Sequence, residues 1–127
     1  MIFFKSPNTS KDIGRQGEAM AKKFLKKKGF RIIDENYRTR WGELDLIVQD
    51  GKVLVFVEVK TRSQKTFGSP LSAVTAEKQQ RIIRMAKTYL AERNMSEVAT
   101  RFDVIGIKTQ NGHPPEIDWI PNAFGGF

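Results

Sequence analysis

The chain has 127 residues, with 22 Lys and Arg against 14 Asp and Glu for a formal charge of +8, and 39% of it is apolar, including nine Phe and two Trp. That length and apolar content fit one domain with a real core, so residues 1–127 are read as a single unit and an intrinsically disordered chain is excluded. There is no cysteine, which excludes disulfides, thiolate zinc sites and cysteine nucleophiles; the longest apolar run, Val53–Val57, is far short of the ~20 residues of a membrane helix, and the expectation is a soluble cytoplasmic protein without a membrane partner.

The first predicted element is a helix from about Ser10 to Lys28. Ser10 suits the N-cap and Asp12 the positive end of the helix dipole. Ile13, Gly17, Met20, Ala21, Phe24 and Leu25 recur at helical spacing on one face, and Gly29 is placed to end the helix. Glu18 falls beside Leu25, on the border of that face. A strand over Phe30–Arg38 follows. Two apolar segments then flank Asp50-Gly51, a two-residue hairpin signal, which predicts strands over Gly42–Gln49 and Lys52–Lys60. Thr61–Pro70 reads as a loop. A second helix runs from Ser72 or Thr75 to Arg93, with Ile82, Ile83, Ala86, Tyr89 and Leu90 inward. Thr100–Ile107 is a strand and Glu116–Ile120 a weaker one, with Gly112, Pro114 and Pro115 marking the turn between them. The order α-β-β-β-α-β-β implies an α/β fold: a mixed sheet flanked by helices.

The hairpin carries the chemistry. Alternation places Glu43, Asp45 and Ile47 on one face of the first strand and Leu44, Leu46 and Val48 on the other; on the second strand Leu54, Phe56, Glu58 and Lys60 share a face. If Asp50-Gly51 is the turn, Gln49 pairs with Lys52, Glu43 stands opposite Glu58, and Asp45 opposite Phe56. Glu43, Asp45, Glu58 and Lys60 then emerge together at the end away from the turn. Facing Cβ atoms in a sheet are about 4.5–5.5 Å apart, so three carboxylates would crowd one another. A hard divalent cation with oxygen ligands relieves that repulsion, which points to Mg²⁺ or Mn²⁺.

Elsewhere the charge is blocked. Residues 1–31 carry nine basic and two acidic groups, and residues 60–93 carry eight and two; the segments between and after them are net acidic. Basic segments suggest a nucleic-acid partner, with Lys22, Lys26, Lys78 and Arg81 as candidate contacts. Asp103, inside the apolar run Phe102–Ile105, reads as a buried structural carboxylate. His113, the one histidine, sits in a turn, which argues against a Ser-His-Asp triad. No phosphate-binding glycine loop is present.

Asp45 followed by Glu58-Val59-Lys60 on the next strand resembles the PD-(D/E)xK motif of nucleases with the restriction-endonuclease-like fold. The proline of that motif is replaced here by Leu44. Gly14-Arg15-Gln16-Gly17-Glu18, Asn36-Tyr37-Arg38, Gly42–Ile47, Phe56–Arg62, Phe67-Gly68 and Lys78–Arg81, in this order, resemble the bacterial YraN family. That family has been considered similar to the archaeal Holliday-junction resolvases. The resemblance implies a restriction-endonuclease-like core and a metal-dependent DNA endonuclease, selective for branched DNA. It implies Asp45, Glu58 and the Val59 carbonyl as metal ligands, with Glu43 as a further ligand or an outer group beside them. Lys60 would act on the attacking water or the phosphate, and Glu18 would reach the site from the helix. Arg15, Arg40, Arg62, Lys78 and Arg81 would hold backbone phosphates, which position a duplex without reading its sequence. Symmetric cutting of a junction would need a homodimer. Two other readings stand beside this one: a catalytically silent nucleic-acid-binding module of the same fold, and a basic interaction protein that docks on an acidic partner or membrane.

Overall fold

The computed structural model describes residues 10–63, 68–110 and 112–125. Helix α1 (Ser10–Lys27) leads into strands β1 (Arg31–Thr39), β2 (Gly42–Asp50) and β3 (Val53–Ser63). A 3-10 turn at Pro70–Ala73 precedes helix α2 (Ala76–Glu92), and β4 (Thr100–Gln110) and β5 (His113–Phe124) close the chain. The sheet order is β1-β2-β3-β4-β5, antiparallel except between β3 and β4, which run parallel. A parallel pair needs a crossover connection, and α2 supplies it. The expected element order and mixed sheet are therefore observed.

Two apolar layers hold this arrangement. On one face Met20, Ala21 and Leu25 of α1 pack on Leu46, Val48, Val55, Val57, Ile105 and Ile107. On the other, Ile82, Ile83, Ala86, Tyr89 and Leu90 of α2 pack on Ile47, Leu54, Phe56, Phe102 and Val104. The start of β3 reads as an unbroken apolar run because both of its faces are covered. Thr75 caps α2, its hydroxyl accepting from the Lys78 N–H at 3.2 Å. Glycine at 17 and 106 lets neighbouring elements close in: a Cβ at Gly17 would overlap Thr61 Oγ1, and one at Gly106 the Pro70 ring.

The structure departs from expectation at four places. Asp50 pairs with Val53, so the central turn residues are Gly51 and Lys52, with Gly51 at φ +61°. The register shifts by two, Leu46 facing Val57 and Ile47 facing Phe56. An even shift preserves faces but replaces the expected Glu43–Glu58 and Asp45–Phe56 pairs. Strand β3 extends through Arg62 to Ser63, beyond the predicted loop boundary; residues 64–67 of that loop, with Lys65 and Phe67, lie outside the described residues. Strand β5 takes in Pro114 and Pro115, which suits an edge strand where missing N–H donors are tolerated. Finally, Leu44 packs with the α2 layer while Leu46 and Val48 pack with α1, so the side-chain alternation of β2 reverses at Asp45.

Asp103 is fully buried and fully bonded. Its oxygens accept from Arg101 Nε at 2.9 Å and Nη2 at 3.1 Å, from Trp119 Nε1 at 3.0 Å and from the Asn122 N–H at 2.9 Å. This carboxylate ties β4 to β5, the structural role read from the sequence. Removing one partner of a buried ion pair strands the other, at a cost of about 3–5 kcal/mol. Asp103→Ala is expected to lose about that much in urea unfolding; a loss under about 1 kcal/mol would contradict the role.

Candidate metal centre

The site forms where β2 and β3 stop pairing. Their ladder ends at Leu46 and Val57. Beyond it the Val59 N–H donates to Asp45 Oδ2 at 2.8 Å instead of to a strand carbonyl. On the other side of Asp45, β1 is also irregular. Asn36 sits at φ +53° between the pairs Glu35–Leu46 and Tyr37–Leu44, and so lies opposite Asp45. Asparagine tolerates this left-handed conformation better than most residues. Both strands therefore reverse their alternation at one level of the sheet. Asp45 adjoins Glu43 on its own strand and Glu58 on the next.

Helix α1 reaches this point because Gly17 lies flush against Thr61 of β3. The next residue, Glu18, is half-buried and brings a carboxylate to the opening. Oxygens of Glu18, Glu43 and Asp45 lie within 4.8 Å of one another. With its amide nitrogen turned toward the acids, Asn36 donates to Glu43 Oε1 at 2.7 Å and to Glu18 Oε2 at 3.3 Å. Arg38 Nε lies 3.2 Å from Glu43 Oε2. Val59, Lys60 and Thr61 face Glu18, Ile13 and Gly14 across a cleft of about 360 Å³.

From the other face, α2 contributes Lys78, whose Nζ lies 3.2 Å from Glu58 Oε2; the Glu58 side chain is only 7% exposed. Glu58 thus adjoins Asp45 but is paired with a lysine, while Glu18 joins Glu43 and Asp45. The expected set of Glu18, Glu43, Asp45, Glu58, Val59 and Lys60 is brought together, in this different internal arrangement.

The electrostatics follow from the crowding. Burial, then the hydrogen bond and charge of Glu58, push the Asp45 carboxyl up to about 9, against the pull of the Val59 N–H. Burial and the charge of Glu43 raise Glu18. Burial, then contact with the Lys78 ammonium, lower Lys60. Burial opposes the charge on Lys78 too, but Glu58 and the contact with Lys60 outweigh it and its affinity for the proton rises. One lysine is held as a cation and its neighbour is made readier to release a proton. The oxygen-only donor set suits a hard divalent ion, and a cation would let Asp45 ionise.

The other residues read as phosphate contacts are dispersed. Arg15 is exposed on α1 and Arg81 on α2. Arg40 is exposed in the β1–β2 turn and stacks on Trp41. Arg62 instead donates from Nη1 to the Gly68 carbonyl at 2.9 Å, tying down the end of β3. Lys22 is paired with Glu35 at 2.9 Å. Asn36 has no role predicted from the sequence, although it lies in the Asn36-Tyr37-Arg38 motif; an asparagine within a strand is the signal that could have marked it. Lys78 stood among phosphate contacts because its reach to Glu58 depends on how α2 docks.

The model of an uncharacterised protein family, UPF0102, matches residues 17–107. A UPF0102 protein of Geotalea daltonii is 48% identical over 117 residues, covering 92% of this chain and 92% of that one. One from Hahella chejuensis is 44% identical over 123 residues, covering 95% and 96%. Among solved structures, SfsA of Pyrococcus furiosus in complex with Ca²⁺ is 16% identical with a TM-score of 0.35, covering 86% of this chain and 62% of that one.

In metal-free protein the folded state holds a proton on Asp45 that the unfolded chain, with a pKa of about 3.9, releases. Stability from this group is therefore present below about pH 4 and is lost as pH rises toward about 9. Asp45→Asn, which cannot ionise, is expected to flatten that decline and to be the more stable protein at the alkaline end. Urea unfolding in EDTA across this range checks it; parallel pH profiles for the two proteins would contradict the buried-carboxyl assignment.

Proposed function

The protein belongs to the UPF0102 (YraN) family, and on that premise we propose that it is a metal-dependent DNA endonuclease. The observation that carries this reading is the convergence of the Glu18, Glu43 and Asp45 oxygens within 4.8 Å, beside Lys60 at an open cleft. Glu18, Glu43 and Asp45 would hold Mg²⁺ or Mn²⁺, with Glu58 completing the acidic surround. A divalent ion bound there supplies Lewis-acid polarisation of a phosphate and a more acidic water.

The chain's own groups provide the rest. Lys60, its proton loosened by burial and by Lys78, accepts a proton from the attacking water or steadies charge on the phosphate. Lys78 keeps Glu58 charge-balanced and in place. Asn36 fixes the carboxylates of Glu43 and Glu18 by donating to both. The net charge of +8 draws a polyanion to the molecule without reading its sequence. Among the described residues one such acidic cluster is found, so paired cuts across a branched substrate would require a homodimer.

The test is a cleavage screen over linear duplex, single-stranded, flapped and four-way DNA with Mg²⁺ or Mn²⁺. Wild type is expected to cut at least one of these. Lys60→Ala is expected to keep binding by anisotropy while cutting about 10²–10⁴-fold more slowly, the usual contribution of a positioned acid or base. Undiminished cleavage by Lys60→Ala, or no cleavage of any substrate by wild type, would overturn the reading.

A further inference from the structure

The turn between β1 and β2 presents an aromatic ring between unpaired arginines. Thr39 braces the turn, its Oγ1 accepting from the Trp41 N–H at 3.0 Å and donating to the Gly42 carbonyl at 3.2 Å. Gly42, at φ +136°, lies against Met85 of α2, and Trp41 packs at the margin of the α2 layer. The ring is thus fixed relative to the sheet. The Arg40 guanidinium lies 4.7 Å from its centroid and that of Arg84 5.3 Å.

A second observation concerns where cations lack acids. Lys22, Arg38, Lys78, Arg93 and Arg101 all have carboxylate partners. Arg40, Arg81 and Arg84, like several other exposed cations, form no ion pair among the described residues; what sets these three apart is that contact with Trp41 and the α2 groove gather them together. Arg81 and Arg84 line a groove of about 450 Å³ along α2 with Gln80, Lys87 and one acid, Glu77, so its lining is net basic. Lys78, one helical turn before Arg81, connects this strip to Glu58. Trp41 is four residues from Asp45 along the chain, a span of at most about 14 Å.

We propose that Trp41, flanked by Arg40 and Arg84, is a stacking platform for an unpaired base of a DNA strand whose backbone follows the α2 groove toward the carboxylates. This deepens the nuclease reading and rests on its nucleic-acid partner. Arg40 is held by little besides the indole; it releases the ring face to the base and moves its guanidinium to the flanking phosphate. Bases inside a duplex are already stacked on one another, so the platform rewards single-stranded or branched DNA over intact duplex. It supplies a preference for unpaired nucleotides without base-edge readout.

The experiment reads binding in EDTA, apart from cleavage. Forked DNA with 2-aminopurine at the unpaired position and a fully paired duplex are titrated with wild type, Trp41→Phe and Trp41→Leu. Both variants keep an apolar side chain against α2, but only Phe keeps a π-face. Wild type and Trp41→Phe are expected to prefer the fork and to quench 2-aminopurine. Trp41→Leu is expected to bind the fork about 5–150-fold more weakly, with duplex affinity unchanged and the quench gone. The wild-type quench is read without any variant, so its absence alone overturns the proposal. So does a Trp41→Leu protein that keeps the fork preference, or one that loses fork and duplex equally. If wild type binds neither DNA, the nuclease reading falls with it; if binding is as expected while no metal supports cleavage, only the nuclease reading falls.

Discussion

After Leu46 and Val57 the two central strands stop exchanging hydrogen bonds, and Asp45 takes the Val59 N–H that the ladder leaves open. The rest of the site depends on that substitution of a side chain for a backbone acceptor. It holds a carboxylate between two strands, where burial would otherwise expel it. It opens a space that α1 enters from one face and α2 from the other. Asn36, in a left-handed conformation at the same level of β1, turns Glu43 toward Glu18, and Glu58 is left to Lys78. The site therefore lies at a break in the β2–β3 ladder, with Glu18 of α1 on one face and Lys78 of α2 on the other.

Like charges at such a gap are costly unless something neutralises them. The metal-free protein uses two devices: a proton retained on Asp45 and an ammonium, Lys78, on Glu58. Both put positive charge where the carboxylates crowd. Lys60, beside Lys78, feels the opposite pressure. The same crowding that raises one group's affinity for a proton lowers another's, which is the separation that acid–base work at a single cleft requires.

The element order and the mixed sheet were legible because the signals are local: helical spacing from Ile13 to Leu25, a glycine turn between apolar strands, Thr75 before α2. The grouping of Glu18, Asp45, Glu58 and Lys60 was legible from alternation and from the quoted motifs. The register was not, because a turn centred on Gly51-Lys52 and one centred on Asp50-Gly51 differ by two residues and preserve every face. Nor was the reversal at Asp45, since alternation has no means of anticipating a left-handed Asn36 opposite. Lys78 and Trp41 depend on where α2 docks, and nothing in their immediate neighbours records that.

If Glu18, Glu43 and Asp45 form a cation site, filling it must displace the proton held on Asp45. Titration calorimetry with Mn²⁺ in buffers of differing ionisation enthalpy tests it most directly, because it reads stoichiometry and proton release together. One Mn²⁺ per chain is expected, with protons released on binding near neutral pH as Asp45 ionises, and binding lost in Asp45→Asn. Binding of equal strength in Asp45→Asn, or Mn²⁺ taken up with no proton released, would contradict it.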